Sequence, residues 1–343
     1  MNTIEPPGDA REEARVALQE ALHEIKRVIV GQDAMLERLL VSLLAGGHVL
    51  LEGVPGLAKT LTVKTLAAVL GGSYGRIQFT PDLVPADLVG TRVYRPDTGG
   101  FDTELGPVFC NFLLADEINR APAKVQSALL EVMQEQQVTI GGSTYRVPAP
   151  FIVMATQNPI ESEGTYPRPE AQIDRFLMKI LVDYPSVGEE AAVVGRSLAA
   201  PAIVRERLSL EELRRYSAAA ATVLVDREVI GYAVALVDAT RHPAEYGLRE
   251  LSSLIEFGAS PRGPIGLVQA ARVLALLRGR GHVVFEDVRD LAADVLRHRM
   301  VLSYDALSEG LSADELLDRI LAAVPEAGAA RLTHDTSTAV RAV

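Results

Sequence analysis

Gly53-Val54-Pro55-Gly56-Leu57-Ala58-Lys59-Thr60 decides how this chain is read. The stretch follows an apolar run, His48-Val49-Leu50-Leu51, and opens a helix-compatible segment from Leu61 to Leu70. A glycine-rich turn between strand and helix points consecutive backbone N–H groups at an anion, and the helix N-terminus adds the positive end of its dipole. That is the layout of a phosphate-binding loop. In it Lys59 is expected to reach the β and γ phosphates of a nucleotide, with the Thr60 hydroxyl on Mg²⁺. One position departs from the usual pattern, since Ala58 stands where glycine precedes the lysine.

Two more strand ends fit the same site. Phe112-Leu113-Leu114-Ala115 is apolar and ends in Asp116-Glu117. Buried strands of parallel sheets read as short continuous apolar runs, and ligands gather at their carboxyl ends. Asp116 is therefore expected in the Mg²⁺ shell, and Glu117 is expected to orient and deprotonate an attacking water. A third run, Phe151-Ile152-Val153-Met154-Ala155-Thr156, leads to Gln157-Asn158-Pro159. Taken singly, Asn-Pro marks a turn. As the third strand end after a lysine loop and an Asp-Glu pair, Asn158 reads as the neutral group that senses the γ-phosphate and holds the water in line.

The order of these elements resembles an AAA+ ATPase, specifically of the MoxR family. The resemblance is carried by Gly53 to Thr60, Leu113-Leu114-Ala115-Asp116-Glu117-Ile118-Asn119-Arg120-Ala121, Ala155-Thr156-Gln157-Asn158-Pro159, Glu170-Ala171-Gln172-Ile173-Asp174-Arg175-Phe176 and Gly258-Ala259-Ser260-Pro261-Arg262, and it covers most of the chain from about Ile29 to Tyr304. It implies an α/β fold, a phosphate-loop parallel sheet flanked by helices with inserted β-hairpins, followed by an all-helical lid domain. It implies ATP and Mg²⁺ as ligands. The nucleotide would be held by Gly31 in an adenine-contacting turn, Val30-Gly31-Gln32, and by Gly53, Pro55, Gly56, Leu57, Ala58, Lys59, Thr60 and Leu61. The Ala-Lys-Thr form of the loop is also similar to that of replicative MCM helicases, so Ala58 reads as a mark of subfamily. Arg175 matches the arginine finger that such subunits insert into a neighbour's site, where it stabilises charge on the transferring phosphoryl group. Arg262 matches the second sensor on the lid, acting on its own subunit's nucleotide or on the next one's. Arg120 and Arg168 are further candidates at a subunit interface, although Arg168 departs from the family, where an apolar residue sits between the prolines at Pro167 and Pro169.

Composition sets bounds. With 343 residues, 48% hydrophobic and 23% charged, the chain reads as a soluble globular protein of one large and one smaller domain. No stretch reaches the roughly 18 uncharged apolar residues of a membrane span, and the acidic segment from Met1 to Glu13 is unlike a signal peptide, so a cytoplasmic location is expected. A net charge of −11 argues against a nucleic-acid surface. The single cysteine, Cys110, reads as a small core residue. His298 reads as a helix-end cation or packed side chain, and the histidines show no metal-ligand spacing.

Along the chain, residues 1–9 read as a disordered N-terminus, 10–185 as the nucleotide-binding domain, 186–326 as the helical lid and 327–343 as a mobile tail. Helices are expected from about Ala10 to Val28 and from Ala34 to Ala45. Arg92-Val93-Tyr94 and Phe101 to Leu105, around the turn Pro96-Asp97-Thr98-Gly99-Gly100, read as one β-hairpin. Gln137-Val138-Thr139-Ile140 and Thr144-Tyr145-Arg146-Val147, around Gly141-Gly142-Ser143, read as another. In the family the first is an insert in the second helix that projects toward a central pore, and the second precedes the sensor strand. The last lid helix is expected over about Phe285 to Leu302.

The resulting expectation is a Mg²⁺-dependent ATP hydrolase that works as a ring, a hexamer, and remodels a protein client together with a partner carrying a von Willebrand factor A (VWA) domain. A DNA-directed motor is the competing reading, suggested by the MCM-like loop. The tip Gly141-Gly142-Ser143-Thr144 carries no lysine or arginine, which a DNA motor would want there. A regulatory scaffold that binds ATP but barely hydrolyses it is the third, disfavoured by Asp116 and Glu117.

Overall fold

The computed structural model describes residues 8–97, 99–158, 173–200 and 202–326. Its strands are β1 (Val49–Glu52), β2 (Tyr74–Gln78), β3 (Gly90–Arg95), β4 (Gly100–Leu105), β5 (Phe112–Asp116), β6 (Gln137–Ile140), β7 (Ser143–Arg146), β8 (Ile152–Gln157), β9 (Met178–Leu181), β10 (Ile255–Phe257) and β11 (Val301–Leu302). The helices begin with α1 (Gly8–Lys26), α2 (Asp33–Leu44) and α3 (Lys59–Val69). The short α4 (Pro85–Val89), then α5 (Ala123–Glu135), α6 (Val187–Ser197), α7 (Leu210–Ala221), α8 (Arg227–Arg241), α9 (Arg262–Leu277), α10 (Phe285–Leu296), α11 (Tyr304–Ser308) and α12 (Ala313–Ala323) complete the order.

Five strands form the main sheet, in the order β2-β5-β8-β1-β9. β5 pairs in parallel with β2 and β8, and β8 with β1. The central strands are apolar because both faces are covered: β8 is buried along its whole length and β5 up to Asp116. β2, at the sheet edge, alternates instead, burying Ile77 between exposed Arg76 and Gln78. Register aligns the carboxyl ends, placing Gln78 opposite Asp116 and Glu52 opposite Gln157. Packing around Phe79, Leu113, Val125, Leu129 and Val153 forms the core of this unit.

The chain divides into two packed units, Val16–Phe176 with Ile180–Arg215, and Met1–Arg15 with Leu177–Lys179 and Tyr216–Val343. The division after Arg215 is later than the expected one after residue 185. The reason is long-range bonding: Arg196 donates to the carbonyls of Lys26 and Arg27 at 3.0 Å each, Arg207 pairs with buried Glu24 at 2.8 Å, and the Leu208 N–H reaches the Val69 carbonyl at 3.2 Å. α1 begins at Gly8, inside the stretch read as a tail. The expected tails otherwise fall on residues 1–7 and 327–343, outside the described ones, as do Arg168, Pro167, Pro169 and Glu170.

Among its described residues the second unit is mainly helical, but it also carries a short strand pair that was not expected. The helix expected to run to Leu302 as the last of the lid ends at Leu296, Val301–Leu302 forms a short strand paired antiparallel with β10, and α11 and α12 follow. Arg297 follows the helix directly, bonding Asp314 at 2.8 Å, Asp294 at 2.6 Å and the Lys179 carbonyl at 2.5 Å. His298 lies past the end of α10, partly buried, and its Nε2 contacts Arg299 at 2.9 Å, so it is a packed side chain.

Both hairpins form, and they touch. Across the first, the rings of Tyr94 and Phe101 lie 5.3 Å apart and Arg95 spans to Glu104 at 2.8 Å. Arg92 covers the Phe101 ring at 5.0 Å and lies against Gly141 of the second hairpin, while Tyr145 donates to Thr103 at 3.1 Å. The second hairpin's tip, which has no basic residue of its own, thus receives a guanidinium from the first.

One buried histidine makes stability acid-sensitive. His48 is 8% exposed. Its Nδ1 accepts the Val153 N–H at 3.0 Å, which leaves the proton on Nε2 for the Met133 carbonyl at 3.2 Å. Burial pushes its pKa from 6.5 down to about 4. The folded state therefore favours the neutral ring, a contribution complete above pH 6.5 and lost as pH falls from there to about 4. The loss is about 3 kcal/mol. Urea midpoints at about pH 7 and about pH 4.5 should fall less on acidification in His48→Gln than in the parent. Equal acid losses in both would contradict this assignment.

Candidate active site

The phosphate loop takes the form its residues dictate. Gly53 is glycine because a Cβ there would sit 2.6 Å from the Val182 carbonyl. Leu57 is buried and anchors the loop, while Pro55, Gly56 and Ala58 are exposed. Ala58 adopts the left-handed region, φ 56°. This is why a glycine commonly stands at this place, and alanine there costs about 1 kcal/mol. α3 starts at Lys59 with no side-chain cap and no acidic residue in its first turn. Its leading N–H groups remain for an anion. Lys59 Nζ donates to the Gly53 carbonyl at 2.5 Å. Burial lowers its pKa, opposed by the carboxylates of Asp116, Glu117 and Glu52. Thr60 is half-buried and Leu61 exposed, on the first turn.

The acidic pair is held more firmly than its sequence shows. The Thr156 hydroxyl donates to Asp116 Oδ1 at 2.6 Å and accepts the Glu117 N–H at 2.9 Å, tying both residues to β8. Arg76 on β2 donates to Asp116 Oδ2 at 2.8 Å and to Gln78 Oε1 at 3.0 Å. That orients the Gln78 amide, whose Nε2 donates to Glu117 Oε2 at 2.8 Å. Arg120 donates to the same Oε2 at 2.8 Å. Arg120, read as an interface candidate, is thus paired with Glu117 of its own chain. Glu117 is itself left-handed, φ 56° and ψ 51°, an uncommon conformation for glutamate that turns the chain sharply at the strand end.

Asn158 follows β8 directly and is 6% exposed. Lys59, Thr60, Asp116, Glu117 and Asn158 therefore stand at the carboxyl ends of adjacent strands in one unit, where open α/β sheets bind ligands. Arg175 is half-buried beside buried Phe176 in the same unit. Gly31 lies in a turn with φ +64°, backed by the Glu189 carboxylate, and the next residue, Gln32, donates to the Asp183 carbonyl at 2.9 Å. Arg262 opens α9 in the second unit, its N–H on Ser260 Oγ at 3.1 Å. Arg76, Gln78 and Thr156 were not picked out from the sequence. The signal for the first two was present as polar residues alternating at the end of an edge strand.

The donors suit the implied ligands. An uncapped helix N-terminus with a lysine matches phosphate, and a hydroxyl with a carboxylate are hard oxygen ligands of the kind Mg²⁺ takes. Among the described residues no cluster of His, Cys, Asp and Glu suggests another metal centre, and no described helix is long and apolar enough to cross a membrane.

Phosphate loop, acidic strand end and following helical unit define an AAA-type ATPase. Residues 48–178 match the family described as ATPase family associated with various cellular activities, and residues 250–320 match the AAA lid domain. The chain is 56% identical over 321 residues to the chaperone MoxR1 of Mycobacterium tuberculosis, covering 93% of this chain and 85% of that protein. It is 33% identical over 323 residues to protein MoxR of Methylorubrum extorquens, covering 88% and 92%. The chain belongs to the MoxR family. A crystal structure from Cytophaga hutchinsonii, of a protein assigned as an ATPase, superposes with a TM-score of 0.88 at 47% identity, covering 92% of this chain and 97% of that one. An MCM homologue from Methanopyrus kandleri shares the fold at 19% identity, TM-score 0.56.

Proposed function

We propose that this chain hydrolyses ATP to ADP and phosphate with Mg²⁺, in a ring, a hexamer, that remodels a protein client alongside a VWA-domain partner. The observation that supports it most is the alignment of Lys59, Asp116, Glu117 and Asn158 along one sheet edge. The loop N–H groups and Lys59 hold the phosphates, so Lys59 exchanges the Gly53 carbonyl for phosphate oxygen. Thr60 and Asp116 would hold Mg²⁺, which supplies charge neutralisation across the β and γ phosphates. Glu117 has one carboxylate oxygen engaged by Gln78 and Arg120 and offers the other to a water, whose proton it takes as that water attacks. Asn158 orients the water. Arg175 reaches a neighbour's site and Arg262 completes charge stabilisation from the lid.

Mixing tests the dependence on a neighbour. Arg175→Ala and Lys59→Ala subunits, each inactive alone, should regain part of the parental rate when combined, because some interfaces then pair an intact loop with an intact finger. A per-subunit rate that stays constant on dilution below assembly would contradict the ring.

The acidic balance and the exposed rings of Tyr94 and Phe101 favour a protein client over DNA. The Arg92 guanidinium at the second hairpin is the observation favouring the motor, but it is already stacked on Phe101. Shortening Arg95 to Phe101 to a two-residue turn should spare basal hydrolysis and abolish stimulation by a protein partner. Tight DNA binding with the steep salt dependence of about six or more phosphate contacts would favour the motor instead.

A further inference from the structure

In the second unit, the end of α8 grips the loop ahead of α9 through both backbone groups of one residue. Ala259 is fully buried. Its N–H donates to Thr240 Oγ1 at 2.9 Å, and its carbonyl accepts from Arg241 Nε at 2.7 Å. Thr240 Oγ1 donates its own proton to the Val237 carbonyl at 2.6 Å, so only its lone pairs face Ala259. Gly258 makes the approach feasible, since a Cβ there would lie 2.6 Å from the Thr240 carbonyl. Three residues beyond Ala259, Arg262 opens α9.

The choice of residues is informative. Much of the rest of the buried face of α8 is apolar, with Val229, Ala233, Leu236 and Val237, where packing alone suffices. A buried hydroxyl at Thr240 is costly unless bonded, and of its two bonds one stays in the helix, on the Val237 carbonyl, while the other holds the loop. Arg241 has an exposed side chain, yet its Nε is committed to a backbone carbonyl.

We propose that Thr240 and Arg241 are positioning residues that fix Gly258-Ala259-Ser260-Pro261-Arg262 so that Arg262 can serve ATP hydrolysis. The inference rests on the role given to Arg262 above. Two contacts, one on each of the peptide groups that meet at Ala259, set both the height and the rotation of the loop over the helix end. Losing either leaves the loop tethered but free to turn, and the guanidinium three residues on is displaced with it.

Steady-state ATPase assays on the full chain test this. Thr240→Val, which keeps the shape and removes the hydroxyl, and Arg241→Ala should each lower kcat about tenfold with KM within about twofold. Thr240→Ser should restore kcat. In an Arg262→Ala background, Thr240→Val should add no further loss. Equal fractional losses in both backgrounds would show that Thr240 serves only packing, and would overturn the inference. Parental kcat in both Thr240→Val and Arg241→Ala, with kcat reduced in Arg262→Ala, would overturn the clamp alone. Parental kcat in Arg262→Ala would instead overturn the role of Arg262, and the clamp's purpose with it. Arg241→Ala alters an exposed side chain, so it decides the matter if Thr240→Val does not fold.

Discussion

Glu117→Gln is expected to bind ATP about as tightly as the parent and to hydrolyse it at least about a hundredfold more slowly. The amide keeps the size of the carboxylate and keeps an acceptor oxygen for Arg120 or Gln78, which hold Glu117 at 2.8 Å each. It cannot take a proton from water. The backbone turn at Glu117 and its N–H bond to Thr156 do not depend on the side chain, so Asp116 should stay in place. Steady-state phosphate release and a nucleotide titration on the same preparation check both halves. A parental rate would remove Glu117 from the role of base.

Lys59→Ala is expected to weaken ATP binding by about a hundredfold or more, from the loss of charged hydrogen bonds worth about 3 kcal/mol. The amine stands at the start of α3, within the loop, and three carboxylates, Asp116, Glu117 and Glu52, act on it. Without it their charge opposes the incoming phosphates. Lys59 contributes its 2.5 Å bond to the Gly53 carbonyl in the folded loop, but buried Leu57 and the parallel strands hold the loop independently. Folding should therefore survive. Equal affinities for parent and variant by calorimetry would refute the phosphate-loop assignment.

What the sequence made legible is what depends on short-range chemistry. A lysine loop after an apolar run, an Asp-Glu pair ending a second run and an asparagine ending a third could be read because each strand is buried on both faces and so is continuous in hydrophobicity. The partners that came from elsewhere in the chain could not. Arg76 and Gln78 reach the acidic pair only because β2 crosses to the far side of β5, and nothing local in Tyr74–Gln78 states that pairing. Thr156 read as one more strand residue, and its hydroxyl matters only because the register sets it beside Asp116. The late boundary at Arg215 arises from Arg207 on Glu24, residues distant in sequence. α10 stops at Leu296, two further helices follow it, and the Arg297 side chain just past its end reaches Asp314 and the Lys179 carbonyl. Each case is a long-range ion pair or register, which periodicity does not encode.

On the proposed mechanism the carboxyl ends of β1, β5 and β8 both hold ATP and supply the base that cleaves it. The direct measurement mixes Mg²⁺ and equimolar ATP with parent and with Glu117→Gln, separates free nucleotide, and identifies what stays bound. Intact ATP is expected on Glu117→Gln and ADP on the parent. ADP on the variant at the parental rate, or no nucleotide retained by either protein, would contradict it.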